Sequence, residues 1–217
     1  MSKALTILGS TGTIGDSTLK VLSLHPDKFS LFALTAYSNC EKMFQQCVVW
    51  EPEYAVMVEE KAADALERKV KKAGLKVQVI WGLAGLEYVA SHPNTDYVMA
   101  GIVGAAGLLP NLAAAQAGKR VMLANKESLV MSGQLFMNAV EENGAQLLPI
   151  DSEHNAIFQC LPSIENKGEG STTKGVKKII LTASGGPFRE KTLKQLERVT
   201  PNEACAHPNW VMGKKIS

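Results

Sequence analysis

Short apolar runs rich in Val, Ile and Leu alternate along this chain with longer segments in which apolar residues recur at helical spacing. This alternation is typical of β-α units around a parallel sheet, whose strands are buried on both faces and therefore read as continuous apolar runs. It predicts strands near residues 4–8, 31–36, 54–58, 77–80, 97–99, 121–123 and 146–150. We therefore predict an α/β fold with a doubly wound, mostly parallel, Rossmann-like sheet that is complete by about residue 150.

Turn residues between the apolar runs indicate where helices begin and end. Pro110 opens and Gly118 closes one helical segment, and Gly144 closes another that begins near Ser128. These signals place helices in the connections between the predicted strands, as a doubly wound sheet requires.

The pattern changes after residue 150, where we expect a second region that is an incomplete α/β domain. Residues 163–175 are rich in Gly, Ser, Thr and Lys, as in an exposed loop, and the apolar run at residues 176–181 predicts a further strand. Thr200 is followed by Pro201 and, three residues after the Thr, by Glu203, which predicts the start of a helix.

Composition excludes several classes of partner. The 217 residues carry a formal net charge of +2, and the basic residues are spread along the chain, so neither nucleic acid nor a membrane surface is expected as a partner. The four cysteines are far apart, which favours reduced thiols over disulfides or a zinc site. The first apolar run is too short for a signal peptide or a membrane span, so we expect a cytoplasmic protein.

A glycine-rich loop, Gly9-Ser-Thr-Gly12-Thr-Ile-Gly15, directly follows the first predicted strand and leads into a helical segment. Glycines let the backbone turn tightly and approach a pyrophosphate, and the N–H groups at the helix N-terminus attract the anion. The loop therefore predicts dinucleotide binding, the alternative being a plain tight turn.

The end of the second predicted strand reads Tyr37-Ser38-Asn39. NAD-binding domains place Asp or Glu here, where the carboxylate accepts a hydrogen bond from the ribose 2′-hydroxyl. Without that carboxylate a 2′-phosphate is permitted, and Ser38 and Asn39 can donate hydrogen bonds to it. NADP is favoured over NAD, although no Lys or Arg stands in this loop, and a polar turn without a ligand is the alternative.

Polar residues also follow the sixth strand, at the edge of the sheet where open α/β folds bind ligands. Asn125, Lys126 and Glu127 stand in a row there and could orient a substrate or the nicotinamide. The alternative is structural, with Ser128 capping a helix and Glu127 in its first turn.

Two carboxylates, Asp151 and Glu153, follow the seventh strand. If this segment is extended, alternate side chains point the same way and the carboxylates converge, which requires a cation or a raised pKa. Hard oxygen ligands favour Mg²⁺ or Mn²⁺ over zinc. An exposed acidic helix start is the alternative. We expect His154 to pack or hydrogen-bond rather than to bind the metal.

Two further segments after residue 180 contain residues that could bind a ligand or close over it. Ser184 precedes two glycines and could hold a phosphate. His207 and Trp210 lie together in a segment that could close over a ligand and exclude water.

Together these motifs resemble the 1-deoxy-D-xylulose 5-phosphate reductoisomerase family, and they occur in that family's order. The blocks that carry the resemblance are Gly9 to Gly15, Gly104-Ala-Ala-Gly-Leu-Leu-Pro110, Leu123-Ala-Asn-Lys-Glu-Ser-Leu129, Leu148-Pro-Ile-Asp-Ser-Glu-His-Asn-Ala-Ile-Phe158, Ser184-Gly-Gly-Pro-Phe-Arg189 and His207-Pro-Asn-Trp210. The resemblance implies an NADPH-dependent, metal-assisted oxidoreductase that rearranges a phosphosugar and reduces it to 2-C-methyl-D-erythritol 4-phosphate in isoprenoid biosynthesis. It also implies a homodimer.

The resemblance assigns roles to single residues. The positions matching the family's NADPH site are Thr11, Gly12, Thr13, Ile14, Asn125, Glu127 and Gly213. Those matching its substrate site are Lys126, Ser152, Glu153, Ser184, His207 and Trp210, with Lys126, Glu153 and His207 as catalytic residues. Asp151 and Glu153 match two of three carboxylates on a divalent metal, Mg²⁺ or Mn²⁺.

The resemblance further implies that residues 1–150 are the NADPH-binding domain and residues 151–217 the beginning of the catalytic domain. Two departures from the family are visible. The family commonly has Gly-Lys-Asn where this chain has Tyr37-Ser38-Asn39, and its members carry the third metal ligand and further phosphate-binding residues beyond position 217. We therefore expect this chain to be inactive or nearly so by itself.

Two other functions fit the first domain alone. One is an NADP-dependent semialdehyde or homoserine dehydrogenase, which needs no divalent metal for hydride transfer. The other is a non-catalytic nucleotide-binding module, which would bind a cofactor without turnover.

Overall fold

The protein is described by a computed structural model that covers residues 2–161 and 175–209. The chain divides into two compact units, Met1–Asn155 and Ala156–Ser217, and the division lies five residues beyond the predicted boundary at residue 150. The predicted loop at residues 163–175 lies, apart from Gly175, outside the described residues, as do Trp210 and Gly213.

Met1–Asn155 contains a seven-stranded parallel sheet, as the alternating pattern predicted. Its strands are β1 (Lys3–Leu8), β2 (Phe29–Ala36), β3 (Tyr54–Met57), β4 (Gln78–Trp81), β5 (Tyr97–Ala100), β6 (Arg120–Leu123) and β7 (Gln146–Pro149). They lie in the order β4-β3-β2-β1-β5-β6-β7, and every pair is parallel. The chain therefore leaves β1 in one direction across the sheet and resumes on its other side with β5.

Helices connect consecutive strands and cover the sheet. They are α1 (Thr13–Ser23), α2 (Cys40–Trp50), α3 (Glu60–Lys72), α4 (Gly82–Ser91), α5 (Leu108–Gln116) and α6 (Glu127–Glu142), with a short 3₁₀ turn at Ala105–Gly107. Gly118 and Gly144 lie just after α5 and α6 with φ of 69° and 62°, which confirms them as helix-ending residues.

Two sets of helices pack on opposite faces because neighbouring residues of a strand point to opposite sides. Leu5 and Leu34 pack with apolar residues of α1, α2 and α3, whereas Leu8 and Val56 belong to clusters that include residues of α4 and α5. Full burial of one such side chain stabilises the fold by about 1.5–3 kcal/mol. The doubly wound arrangement is thus confirmed.

A helix, α7 (Ser152–Cys160), follows β7, and two short helices, α8 (Leu193–Leu196) and α9 (Pro201–Ala204), lie in Ala156–Ser217 together with a 3₁₀ turn at Gly186–Phe188. The helix start predicted at Thr200 is confirmed, because Thr200 and Glu203 form a reciprocal capping box. The strand predicted at residues 176–181 is wrong. Ile179 and Ile180 are exposed, and an apolar run becomes a strand only where a neighbouring strand pairs with it.

Within the described part of the chain, no helix combines the length and the apolar character that a membrane crossing requires.

Candidate functional site

The carboxyl ends of the parallel strands bring several predicted site residues to one edge of the sheet. The glycine loop follows β1, Ser38 and Asn39 follow β2, Asn125 follows β6 and Asp151 follows β7. β1 lies between β2 and β5, where the direction of winding reverses. Open α/β sheets bind ligands in the crevice at such a reversal.

The glycine loop has the backbone that an approaching phosphate needs. Gly9 has φ of +83°, and a Cβ there would lie 3.3 Å from the carbonyl group of Gly101. A Cβ at Gly15 would lie only 2.2 Å from the carbonyl oxygen of Ser10. Gly12 is the N-cap of α1 and supplies no side-chain cap, so the first N–H groups of α1 are available to an anion. The residues fit a bound pyrophosphate.

Buried polar contacts hold this loop in place, and the sequence analysis did not predict them. Gln46 of α2 accepts a hydrogen bond from the Ser10 hydroxyl at 2.7 Å and donates one to the Ser10 carbonyl oxygen at 2.9 Å. The Thr35 hydroxyl of β2 accepts from the Gly9 N–H at 2.9 Å. Gln46 could have been found, because it occupies a core-facing position of α2 beside Met43 and Cys47.

A lysine outside the predicted set also reaches the glycine loop. Lys42, in the first turn of α2, donates hydrogen bonds from Nζ to the Thr11 carbonyl oxygen at 2.9 Å and to Oδ2 of Asp16 at 2.6 Å. About a third of the Lys42 side chain remains exposed. A cation from the following helix therefore stands beside the glycine loop, although the loop after β2 itself contains no Lys or Arg.

Ser38 and Asn39 occupy the end of β2 as predicted, and both are exposed. Asn39 also has a structural role, because its Oδ1 accepts a hydrogen bond from the Lys42 backbone N–H at 3.1 Å and caps α2. This oxygen thus has a structural role, and the Ser38 side chain is exposed.

Asn125 is buried at 1% exposure and fastens the loop after β5 to the start of α6. Its amide donates to the carbonyl oxygens of Ile102 and Gly104 at 2.6 and 2.9 Å, and its Oδ1 accepts from the Ser128 N–H at 3.2 Å. Asn125, rather than Ser128, thus caps the first turn of α6, and Glu127 begins that helix. Ser128 is instead buried, with its hydroxyl accepting from Asn111.

Lys126 and Asp151 form an ion pair with 2.6 Å between Nζ and Oδ2. β6 and β7 are adjacent and parallel, so the residues that follow them lie side by side. Burial raises the pKa of the Asp151 carboxyl group, but the hydrogen bond and charge of Lys126, with the charge of His154, outweigh burial and leave it below its usual range. The hydrogen bond to Asp151 raises the pKa of Lys126.

The residues after β7 begin a helix, so the extended segment predicted for Asp151 and Glu153 is wrong. Glu153 still interacts with Asp151, since it is among the groups that lower the pKa of the Asp151 carboxyl. Nδ1 of His154 lies 3.1 Å from Oδ1 of Asp151, which confirms a hydrogen-bonding role for this histidine. Ser152 is the first residue of α7.

Asp151 and Glu153 supply hard oxygen ligands of the kind that Mg²⁺ or Mn²⁺ prefers. The low pKa of Asp151 keeps that carboxylate ionised at neutral pH, as a ligand must be. Among residues 2–161 and 175–209 no group of three or more His, Cys, Asp or Glu side chains is arranged around one point. The pair therefore fits part of a divalent metal site.

The second unit, considered by itself, brings Ser184 and His207 together. The Ser184 Oγ and the His207 Nε2 are 3.0 Å apart, and the Gly186 N–H donates to the same Oγ at 3.3 Å. The Asn209 N–H donates to Nδ1 of His207, so a neutral ring carries its proton on Nε2, facing Ser184. A cavity of about 240 Å³ lies beside them, lined by Ser184, Gly186, Pro187, Arg189, Glu190, Pro208 and Asn209.

The Ser184 hydroxyl and the cation of Arg189 line this cavity and could bind a small anion, although the carboxylate of Glu190 lines it as well. Gly185 has φ of +81°, which shapes the turn between Ser184 and the 3₁₀ helix. Ser184 and His207 were predicted in separate segments, and the structure brings them together although they are 23 positions apart in the chain.

Sequence comparisons find matches over both units. The family model for 1-deoxy-D-xylulose 5-phosphate reductoisomerase matches residues 5–133, and the model for the C-terminal domain of that reductoisomerase matches residues 147–217. The chain is 58% identical over 213 residues to 1-deoxy-D-xylulose 5-phosphate reductoisomerase of Aromatoleum aromaticum and 57% identical over 217 residues to that of Paraburkholderia phytofirmans. These alignments cover 98% and 100% of this chain, but 52% and 53% of the relatives.

Comparison of structures gives the same result. A crystal structure of DOX-P reductoisomerase in complex with NADPH, fosmidomycin and magnesium matches with a TM-score of 0.88 and 46% identity, covering 98% of this chain and 52% of that one. The reductoisomerase from Zymomonas mobilis in complex with NADPH matches with a TM-score of 0.85 and 41% identity, covering 94% of this chain and 52% of that one. The chain thus spans about half the length of the relatives it matches.

Proposed function

The chain belongs to the 1-deoxy-D-xylulose 5-phosphate reductoisomerase family, and from this premise we propose that a protein of its relatives' length converts 1-deoxy-D-xylulose 5-phosphate to 2-C-methyl-D-erythritol 4-phosphate. One observation carries the proposal: the glycine loop and the Lys126–Asp151–Glu153 cluster stand at the same edge of one sheet. That arrangement serves a reaction that combines hydride transfer with the handling of developing negative charge on oxygen.

Cofactor binding is assigned to residues of the first unit and to Gly213 of the second. Thr11, Gly12, Thr13 and Ile14 hold the pyrophosphate of NADPH at the N-terminus of α1, with Ser38 and Asn39 near the adenosine ribose and Glu127 and Gly213 toward the nicotinamide. The side chain of Asn125 is engaged by protein groups, so its contribution to the cofactor site comes through its main chain and through the loop that it holds. When bound, NADPH supplies the hydride that reduces the rearranged aldehyde.

Metal and substrate binding are assigned to the residues that follow β6 and β7. Asp151 and Glu153 would hold Mg²⁺ or Mn²⁺, which when bound polarises substrate oxygens as a Lewis acid. Lys126 faces the same carboxylate and adds a positive charge where oxygen becomes anionic. Crystal structures of the related reductoisomerase with magnesium and with NADPH support a metal site and a cofactor site in this family.

Further substrate contacts belong to Ser152 and to the second unit. Ser184 and His207 are assigned to the substrate phosphate, and Trp210, which lies outside the described residues, is assigned to substrate binding because the resemblance implies it. In this proposal residues 1–150 are the NADPH-binding domain and residues 151–217 begin the catalytic domain. Assembly as a homodimer is proposed from the family alone. A cytoplasmic location is supported by four cysteines that are all free thiols.

The test is the loss of NADPH absorbance with 1-deoxy-D-xylulose 5-phosphate and Mg²⁺, measured on this chain and on a protein extended to the length of its relatives. We expect turnover by the extended protein and little or none by the 217 residues alone. Asp151→Asn in the extended protein should lower kcat roughly 100-fold or more, because Asp151 is both the proposed metal ligand and the partner of Lys126, and the asparagine carries no charge. Asp64→Asn, an exposed carboxylate of α3, is the matched control and should leave kcat unchanged.

Other outcomes would favour the alternative functions or refute the assignment of Asp151. Turnover that survives EDTA would favour a metal-independent dehydrogenase, and cofactor binding without turnover by the extended protein would favour a nucleotide-binding module. Equal loss of activity in Asp151→Asn and Asp64→Asn would refute the assignment of Asp151.

A further inference from the structure

We propose that Lys42 is the side chain that selects NADPH over NADH, by donating a hydrogen bond to the 2′-phosphate of the adenosine ribose. The inference rests on the proposed function in one respect, namely that the sheet edge beside the glycine loop binds a nicotinamide dinucleotide. It adds a residue that determines specificity and that lies outside the loop after β2.

The position of Lys42 is the first argument. Its Nζ lies 2.9 Å from the Thr11 carbonyl oxygen, so the ammonium group stands over the glycine loop although its backbone belongs to α2. The Lys42 backbone N–H is held by Oδ1 of Asn39 at 3.1 Å, which ties the base of the side chain to the residues that end β2. The adenosine ribose of a Rossmann domain lies between these same two segments.

The composition of the β2 end is the second argument. Tyr37, Ser38 and Asn39 include neither the carboxylate that would accept from a ribose 2′-hydroxyl nor a cation that would bind a phosphate. The ammonium of Lys42 supplies the missing charge from the first turn of the following helix, where the dipole also favours an anion.

The hydrogen-bonding capacity of Lys42 is the third argument. An ammonium group has three donors, and within residues 2–161 and 175–209 two are used, by Thr11 and by Asp16. The ion pair with Asp16 is partly exposed, with 34% and 40% of the two side chains accessible, so it is weak and leaves the third donor of Lys42 able to bind another acceptor. The Asp16 carboxylate also competes with a phosphate for the charge of Lys42, so it weakens the attraction of Lys42 for the phosphate.

The experiment measures dissociation constants of NADPH and NADH for the 217-residue chain by titration calorimetry, at two salt concentrations. Lys42→Met should weaken NADPH binding roughly tenfold, the value of a lost hydrogen bond to a charged group, and leave NADH binding unchanged. Lys42→Arg should retain most of the preference. Lys20→Met, at an exposed position in the last turn of α1, removes the same charge and should change neither constant.

A second variant keeps the test decisive if Lys42→Met does not fold. Asp16→Asn removes the carboxylate beside Lys42 and should tighten NADPH binding while NADH binding stays the same, because only the phosphate gains from the freed charge. The preference of the unaltered chain for NADPH should shrink as salt rises.

Three results would overturn the inference. Equal weakening of NADPH and NADH in Lys42→Met would show that Lys42 only shapes the glycine loop. No change in either constant would show that the 2′-phosphate binds elsewhere. If the unaltered chain binds neither dinucleotide, the proposed cofactor site itself fails, and that outcome differs from a site that binds both cofactors without discrimination.

Discussion

Long-range contacts fix the polar groups of Met1–Asn155, whereas contacts within a few residues fix the helices of Ala156–Ser217. In the first unit, Gln46 holds Ser10 from 36 positions away, and Asp96 holds Ala4 from 92 positions away. In the second unit, α8 and α9 each begin with a capping box over four residues. Of the described residues, every buried apolar side chain belongs to the first unit.

This difference teaches how the proposed site residues of each unit are supported. The glycine loop and Asp151 rest on a sheet whose core sets their positions, so changes in that core reach the site. The contact between Ser184 and His207 joins residues 23 positions apart, but among the described residues of the second unit no buried apolar side chain supports it, so changes nearby act locally. Four substitutions, ordered from the largest expected effect to the smallest, test this contrast.

The largest effect is expected from truncating a core side chain of the sheet. Leu34→Ala in β2 removes a fully buried side chain and should lower the free energy of unfolding by about 2–5 kcal/mol. The matched change in the second unit is Leu193→Ala, where the side chain is 84% exposed, and it should change that free energy by less than about 0.5 kcal/mol. Urea unfolding followed by far-ultraviolet circular dichroism measures both, and similar losses from the two variants would contradict the contrast.

The next effect concerns the packing of the glycine loop. Gly15→Ala places a methyl group 2.2 Å from the Ser10 carbonyl oxygen and should cost about 1–3 kcal/mol of stability through backbone movement. NADPH binding should weaken as well, because the loop moves. Gly133→Ala in α6 meets open space and should stabilise the protein by up to about 1 kcal/mol. Thermal unfolding and cofactor titration check both; a Gly15→Ala variant with unchanged stability and affinity would show that the loop is not tightly supported.

The same contrast explains which features were predictable from sequence. All seven strands were predicted correctly, because strands buried on both faces have continuous apolar sequences and because glycines end the helices between them. The run at residues 176–181 has the same composition but no described pairing partner, and composition cannot supply one. The edge of the sheet was predictable as a site, because parallel strands bring their carboxyl ends together whatever the side chains are.

Contacts within the site were harder to predict. The pairing of Lys126 with Asp151 depends on β6 and β7 being neighbours in the sheet, and the sequence alone does not show which strands are neighbours. The contacts of Lys42 and Gln46 depend on how α2 docks against the glycine loop. Asp151 and Glu153 were predicted to converge along an extended segment, but a helix begins there, and Glu153 acts on Asp151 only as one of several groups that lower its pKa.

A smaller effect is expected where an ionised side chain joins two strands. The N–H of Ala4 donates to Asp96, and this bond, with Lys3, holds the pKa of Asp96 below its usual range even though burial raises it. A lowered folded-state pKa means that the stabilisation is present above the unfolded-state pKa and is lost as pH falls through the folded value. Asp96→Asn should therefore cost up to about 1 kcal/mol at neutral pH and nothing in strong acid.

Unfolding in urea across a range of pH measures this effect, and Asp64→Asn serves as the control because Asp64 is an exposed carboxylate of α3. The stability curves of Asp96→Asn and the unaltered protein should converge as the pH falls. Curves that remain parallel would mean that the charge of Asp96 does not support the sheet.

The smallest effect is expected from the corresponding carboxylate of the second unit. Hydrogen bonds from the Thr200 N–H and hydroxyl, and then from Lys191, hold the pKa of Glu203 below its usual range. The sign is the same as for Asp96, so the contribution is present at neutral pH and lost in acid. Because the capping box spans only four residues, Glu203→Gln should leave the global unfolding midpoint unchanged. It should speed amide exchange in α9 several-fold at neutral pH, with the difference vanishing in acid. A lowered global midpoint would instead mean that α9 unfolds together with the sheet, and the contrast between the two units would then fail.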